Sequence, residues 1–323
     1  MKAVVQDRYG GPETLRVDEV ERPAEADGRV LVRVRAAGVN AYDWHLMRGD
    51  PYVARLALGP RRPRQRIRGR DFAGEVVAVG AGGSDLRPGD EVFGEVDGTF
   101  AQYVSVPEGW VERKPANLSF VQAATLPLAG NTALRALRDT AGVRPGQRVL
   151  VNGASGGVGT FAVQIAKVLG AEVTAVCGAR NAGMVRSLGA DHVVDYTRED
   201  FTRSGRRHDV VLDLVGERGI GALRRAVTPD GTLVLAGGGR PGRVLGAAGL
   251  TLRGTLVAPF VRQRVRPLMG PAPSREVLAR VRELAESGRL VPVIDRTFAL
   301  AEAAEAIRHL EVEHARGKVV VTM

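Results

Sequence analysis

The chain has a single cysteine, Cys177, in 323 residues. One thiol can form neither an intrachain disulfide nor a cysteine-rich zinc site, and it suits a reducing compartment. Aromatic residues are also scarce, at 5%, which leaves few platforms for stacking nucleic-acid bases. Only four lysines occur (Lys2, Lys114, Lys167 and Lys318), against 42 arginines. No run approaches the ~20 apolar residues of a membrane helix, because charged residues interrupt every long one. The segment Met1 to Asp7 lacks the apolar stretch of a secretory signal and reads as a first strand. A cytoplasmic location is the expectation.

What is present is an ordinary globular composition, 44% hydrophobic and 25% charged, with a net charge of +10. The arginines are spread over the whole chain, and the densest run, Arg61 to Arg70, has no interleaved aromatics. Nucleic acid is therefore a poor candidate partner. A positive field that attracts a polyphosphate cofactor fits better.

The length suggests about two domains. The first ~120 residues hold short β-branched runs next to glycine turns, as in Val30 to Ala37, Glu75 to Gly80, Glu91 to Gly94 and Phe100 to Val106. Such spacing predicts a small barrel or sandwich. From Arg148 onward, apolar strands alternate with helical stretches: Val149–Asn152, Val158–Leu169, Glu172–Cys177, Ala182–Leu188, His192–Tyr196, Val210–Leu214, Thr232–Ala236. That alternation predicts a parallel sheet covered on both faces. Helices over about 276–286 and 300–310 and a strand over 318–322 close the chain and are expected to return to the first domain. The expected division is 1–121 with 267–323, and 122–266 as the inserted nucleotide domain.

The sharpest motif is Asn152-Gly153-Ala154-Ser155-Gly156-Gly157-Val158-Gly159, set between a strand and a helix. Ala154, Gly156 and Gly159 stand where a dinucleotide fingerprint needs a small residue for the turn, a close approach to pyrophosphate, and helix–strand packing. The helix then offers free backbone N–H groups to phosphate. Ala154 to Gly159 are the candidate cradle. The second strand ends in Cys177-Gly178-Ala179-Arg180, with no acid to hold a ribose 2′-hydroxyl. Arg180 can instead grip a 2′-phosphate, so NADPH is expected over NADH. Val215-Gly216 and Ala236-Gly237-Gly238 end later strands at the carboxyl edge, where such sheets bind their ligand.

Several segments together resemble the medium-chain dehydrogenase/reductase superfamily in its zinc-free quinone oxidoreductase branch. They are Ala36-Ala37-Gly38-Val39-Asn40 with Asp43, Gly69-Arg70-Asp71-Phe72-Ala73-Gly74-Glu75-Val76, Pro88-Gly89-Asp90-Glu91-Val92, Pro127-Leu128-Ala129-Gly130-Asn131-Thr132-Ala133, the glycine loop, Leu188 to Tyr196, and Arg316-Gly317-Lys318-Val319-Val320-Val321. The resemblance implies a Rossmann doubly wound parallel sheet inserted into a GroES-like β-barrel catalytic domain, an α/β architecture with a cleft between the two domains. Zinc-containing relatives place cysteine where this chain has Asn40 and histidine where it has Arg70. A catalytic zinc needs at least three N, S or O ligands, so no metal is expected.

Without a Lewis acid, reduction of an already polarised π-system remains feasible, with quinones and α,β-unsaturated carbonyls as the substrate class. The resemblance places Asn40 beside the nicotinamide. His45 and Tyr52 are candidate proton donors, His45 by its ordinary titration range and Tyr52 by its likeness to an enoyl-reductase tyrosine. Thr132 resembles a residue beside the nicotinamide ribose, Tyr196 one near the adenosine phosphate, and Lys318 is a candidate to reach a phosphate. Asp43 and Asp71 read as structural acids that accept loop N–H groups. The resemblance further implies a homodimer, with an edge strand expected over Thr251–Ala258. A tailoring enzyme for one biosynthetic intermediate, or a dinucleotide-binding structural or RNA-linked protein, are the alternatives.

Overall fold

The computed structural model describes residues 1–82, 84–237, 246–268, 270, 272–313 and 315–323, with the side chains of 246–248, 250 and 251 left aside. The chain divides into two compact units, 1–131 with 272–323, and 132–271. The first unit begins with β1 (Lys2–Gln6), β2 (Leu15–Glu19) and the long β3 (Arg29–Val39). The helices α1 (Ala41–Arg48) and α2 (Arg55–Leu58) follow, then β4 (Asp71–Val79), β5 (Glu91–Glu95), β6 (Tyr103–Pro107) and β7 (Val111–Arg113). The helices α3 (Phe120–Ala123) and α4 (Pro127–Leu134) lead out of it.

In the second unit, β8 (Arg148–Asn152), α5 (Gly157–Val168), β9 (Glu172–Cys177), α6 (Ala182–Ser187), β10 (His192–Asp195) and β11 (His208–Asp213) alternate as expected. Then come α7 (Ile220–Arg225), β12 (Val227–Leu235), α8 (Gly246–Val257) and β13 (Arg264–Pro267). The chain returns to the first unit with α9 (Arg275–Glu286), β14 (Ile294–Ala299), α10 (Ala303–Val312) and β15 (Lys318–Thr322).

The strand order of the second unit is β10-β9-β8-β11-β12-β13, every neighbour parallel. Counted from its first strand this is 3-2-1-4-5-6, the doubly wound order whose switch point lies between β8 and β11. Leu150, Val176, Val211, Leu233 and Leu235 are buried from these strands, with Leu223 from α7. One expectation fails here: Thr251–Ala258 is not an edge strand. Residues 251–257 belong to α8, and the sheet edge is β13. The physical reason is Gly254, where an added Cβ would lie 2.9 Å from the Leu235 side chain and 3.5 Å from that of Val265. The helix lies so close over β12 and β13 that tertiary packing overrides the β-like composition.

The first unit carries a seven-stranded sheet. Its path runs β14-β15-β3-β4-β5-β7, with β6 also paired to β3, and only the β14–β15 pairing is parallel. On β3, Val30, Val32 and Val34 alternate inward onto a core containing Phe72, Phe100, Val319 and Val321. The short pair β1–β2 is extended by isolated bridges Ala3↔Ala101 and Val5↔Ile67.

Candidate functional site

At the switch point of the second unit, the turn between β8 and α5 is set by Gly153, whose φ is +85°. Its N–H and that of Ala154 donate to Val176 O at 3.2 and 3.1 Å, which fixes the loop against β9. At Gly159 an added Cβ would lie 2.1 Å from Gly153 O, so helix and turn meet backbone to backbone. Gly156, the N-cap residue of α5, is different. There a Cβ would meet only Gly153 O, at 3.5 Å, which is ordinary contact. The protein's own packing does not require glycine at 156, and the space beside it is open to a ligand. That cradle, at the N-terminus of a twelve-residue helix, fits a pyrophosphate.

The rim is built from neighbouring strand ends. Asp213 is buried; it accepts from Asn152 Nδ2 at 2.8 Å and from the N–H groups of Val215 and Gly216 at 3.3 and 3.2 Å. Burial pushes its carboxyl upward against those donors. A Cβ at Gly237 would lie 2.7 Å from the backbone of Leu214, Val215 and Gly216. The strand ends at 215–216 and 236–237 are thus brought together. Gly238 lies outside the described residues.

At the end of β9 the Cys177 side chain is buried, so only its backbone can face a cofactor. Gly178 lies beside the Tyr196 ring, 3.7 Å from where a Cβ would stand, and that ring is half exposed. Arg180 is exposed in the turn Ala179–Asn181. Two residues here escaped the sequence reading. Asn181 is buried, donates to Ser155 Oγ at 3.1 Å and leaves its own Oδ1 without a partner among the described residues. Asp195 is in register with Cys177, and its carboxylate is held low chiefly by the backbone N–H and hydroxyl of Thr197. The spacing rule looks about 20 residues on for an acid, and Asp195 comes one strand later than that. Thr132, half-buried on α4, is the first residue of this unit.

The first unit holds a buried charge network. Asn40 precedes α1, and its backbone N–H donates to Asp43 Oδ2 at 2.7 Å. Its side-chain Nδ2 donates to Asp71 Oδ2 at 3.0 Å. Lys318, 2% exposed on β15, donates to Asn40 Oδ1 at 2.5 Å, Val39 O at 3.2 Å and Asp71 Oδ2 at 3.3 Å. Asp71 Oδ1 also accepts the Leu128 N–H at 3.0 Å. Asp43 and Asp71 are structural acids, as their positions suggested. Burial raises Asp43 to about 7. Burial also raises Glu95 to about 7, with Asp71 nearby adding to it, against the donors Asn131 and Arg70.

Two sequence expectations change in this unit, those for Lys318 and His45. Lys318 is not a phosphate ligand, because its ammonium is enclosed by Asn40, Val39 and Asp71. His45, stacked on Trp44 with ring centroids 3.6 Å apart, is lowered to about 4 by burial. It is therefore neutral at pH 7 and is no imidazolium acid. Tyr52 is 49% exposed, with the Arg55 guanidinium 4.3 Å from its ring centroid. The structure brings Asn40, Asp71 and Lys318 together but sets Tyr52 apart from that network.

Asn40 and Arg70, at the two positions that the resemblance gives to zinc ligands, do not fit the ion. Asn40 Oδ1 already receives an ammonium, which would repel a divalent cation. Arg70 has no lone pair to donate, and its guanidinium lies 3.0 Å from Asp97, 3.4 Å from Glu95 and over the Tyr42 ring.

Comparison with known proteins agrees with this arrangement. Residues 26–116 match the alcohol dehydrogenase GroES-like domain, and residues 188–321 match the zinc-binding dehydrogenase family. A mitochondrial NAD(P)H oxidoreductase of Mus musculus is 35% identical, covering all of this chain and 89% of its own length. A chloroplastic NADPH-dependent alkenal/one oxidoreductase of Arabidopsis thaliana is 34% identical over 99% of this chain and 79% of its own. Among solved structures, the Escherichia coli quinone oxidoreductase complexed with NADPH matches with a TM-score of 0.86 at 26% identity, all of both chains covered. A Rossmann unit inserted into a GroES-like unit, with a dinucleotide cradle, defines a nicotinamide-dependent oxidoreductase. The chain belongs to the medium-chain dehydrogenase/reductase superfamily, alongside its quinone and alkenal oxidoreductases. Among the described residues no helix is long and apolar enough to cross a membrane.

Proposed function

We propose that the protein reduces quinones and α,β-unsaturated carbonyls with NADPH, without zinc. One observation carries this reading: a lysine-bonded amide and an ion-paired guanidinium occupy the positions that the resemblance gives to metal ligands. NADPH supplies a hydride when bound. The residues we assign to hold it are Ala154, Ser155, Gly156, Gly157, Val158 and Gly159 at the pyrophosphate, with Gly178, Arg180 and Tyr196 at the 2′-phosphate. Thr132, Val215, Gly216, Ala236 and Gly237 are assigned to the remaining rim. Preference for NADPH is supported by the acid-free turn after Cys177, since Asp195 is engaged by Thr197.

In the first unit, Asn40 is assigned to the nicotinamide side, its amide locked by Lys318 and Asp71 so that no rotamer search precedes binding. Tyr52 is the proposed proton donor to an enolate carbon, supported by its half-exposed side chain and the cationic Arg55 over its ring. A quinone needs no carbon protonation and bypasses that step. A homodimer is proposed along β13, where α8 leaves Leu252 and Leu256 exposed and Phe260 follows, 88% exposed. The cytoplasm is the proposed compartment, supported by the lone buried thiol and tested by cell fractionation. The deciding experiment for activity is NADPH oxidation with one quinone and one enone in chelator-treated protein. Turnover of both supports the reading; loss of turnover with the chelator, restored by zinc, overturns it.

A further inference from the structure

Arg68 is 4% exposed, yet its guanidinium makes no hydrogen bond or ion pair with any described residue, and Nε is fully enclosed. A buried cation without a counter-charge is costly, and native proteins rarely leave one so. Nearby carboxylates are otherwise engaged. Asp97 receives Arg70 at 3.0 Å, and Asp43 receives the Asn40 N–H. The groups acting on Arg68 through space are Asp43, Asp97, Tyr42 and Tyr9, all in the first unit, and burial lowers its pKa despite them.

The neighbouring backbone fixes the side on which it lies. The antiparallel bridge Val5↔Ile67, with Gln6 N donating to Arg66 O and Arg68 N to Val4 O, makes the backbone extended here. Residues 66 and 68 therefore share one side, while Ile67 packs with Ala3, Val5 and Ala101 on the other. Gln6 is on the arginine side, and its buried Oε1 also has no partner among the described residues. Arg66 lines an open pocket of about 820 Å³ together with Arg61, Arg62, Arg64 and Asp7. Asp7 is consumed by Arg66 at 2.7 Å and Arg16 at 2.6 Å. Arg61, Arg62 and Arg64 have no ion-pair partner among the described residues, so the pocket is cationic.

We propose that Arg68, approached through the arginine-lined pocket of residues 59–66, receives a carboxylate of the substrate. The substrate class is then acidic enones or quinones, not neutral ones. This rests on the reductase reading and narrows it. A planar guanidinium whose protein partners are all withheld is arranged for bidentate capture of a carboxylate, and the surrounding charge speeds its arrival.

The test compares kcat/KM for a carboxylate-bearing enone and its methyl ester at saturating NADPH. The wild type should favour the acid at least about tenfold, the size of one charge-assisted hydrogen bond. Arg68→Leu should bring the ratio near one, with a Tm no lower than wild type because it removes an unpaired buried charge. Arg68→Lys, which keeps the charge without the fork, should retain part of the ratio and guards against a misfolded leucine variant. The triple variant R61Q/R62Q/R64Q should lower the acid's kcat/KM at low salt and converge with wild type at high salt. Ester reduction with no acid preference in the wild type, or a preference that survives Arg68→Leu, overturns this inference and leaves the reductase standing. Failure to reduce either compound overturns the reductase reading and this inference with it.

Discussion

The two units carry their chemistry in different materials. In the second unit the cradle is backbone: a left-handed turn at Gly153, an open side at Gly156, and a contact at Gly159 that tolerates no Cβ. In the first unit the candidate site is buried charge: Lys318, Asp71, Asp43, Glu95, Arg70 and Arg68 lie among apolar strands. Backbone sites depend on which residues are small, and they leave a local pattern in the sequence. Charge networks depend on which side chains meet after folding, and they leave none. The two should also fail differently, through ligand affinity in one case and through stability and pH in the other.

The largest effect tests the charge network. Lys318→Met strands Asp71 and Asn40, and breaking a buried pair this way costs about 3–5 kcal/mol. Chemical denaturation should show that loss, and Asp71→Asn in the same background should recover part of it. A Lys318→Met variant as stable as wild type would remove the network from the account.

The second test addresses the backbone site. Gly156→Val should keep a Tm close to wild type, because a Cβ there meets only ordinary contact and the extended backbone accepts a β-branched residue, but it should weaken NADPH binding at least ~100-fold by filling the pyrophosphate side. Fluorescence titration alongside a melt separates the two. A fall in Tm with affinity intact would reverse the assignment.

The third prediction concerns pH. Asp43 is raised from 3.8 to about 7, so its folded form holds a proton that the unfolded chain has already released. The associated stability is present in acid and is lost as pH rises through about 7. His45 is shifted the other way, to about 4, and withdraws stability only as pH falls below its ordinary 6.5. Between pH 6.5 and 8 only the acids contribute, and Asp43 alone should remove about 1 kcal/mol. Asp43→Asn should flatten the Tm profile in that window, leaving the part due to Glu95. An unchanged slope would show that Asp43 is ionised throughout.

Smaller effects sharpen the cofactor and proton assignments. Arg180→Ala should weaken NADPH about tenfold and NADH hardly at all, as removal of one charge-assisted contact predicts; equal losses would deny a 2′-phosphate role. His45→Ala should alter enone turnover less than threefold, since a neutral imidazole is a far weaker acid than imidazolium, whereas well-matched general acids are worth ~10²–10⁴-fold. A hundredfold drop would restore His45 as the donor.

Most of the fold was legible. The strand–helix alternation after Arg148 and the glycine loop identify the doubly wound unit, because both depend on residues close in sequence. Asp43 and Asp71 were readable as structural acids that accept nearby backbone N–H groups. The role of Lys318 was not, since Asn40 is 278 positions away and only the pairing of β15 with β3 brings them together. The edge strand was misplaced for a related reason. Thr251 to Val257 has strand-like composition, but Gly254 lets it pack as a helix over the sheet, and the short Arg264–Pro267 shows little apolar pattern. The partnerless state of Arg68 is invisible in a run of arginines, because Arg66 and Arg68 share one side by register and only tertiary packing buries the second.

The strand β15 lies between β14 and β3, and it carries the lysine that neutralises Asp71. A ribosome delivers residues 132–271 in one continuous piece, so the nucleotide-binding unit can fold as soon as it clears the exit tunnel. The other unit must wait with the Ala36–Val39 end of β3 lacking its β15 partner and an acid destined for burial still uncompensated, until 272–322 is made. Domains tend to fold as units in the order they emerge, but here the first-made segment is the last to be completed. For the time needed to translate nearly two hundred residues, that end of β3 is an open edge, and that interval is when a nascent-chain chaperone has most to protect.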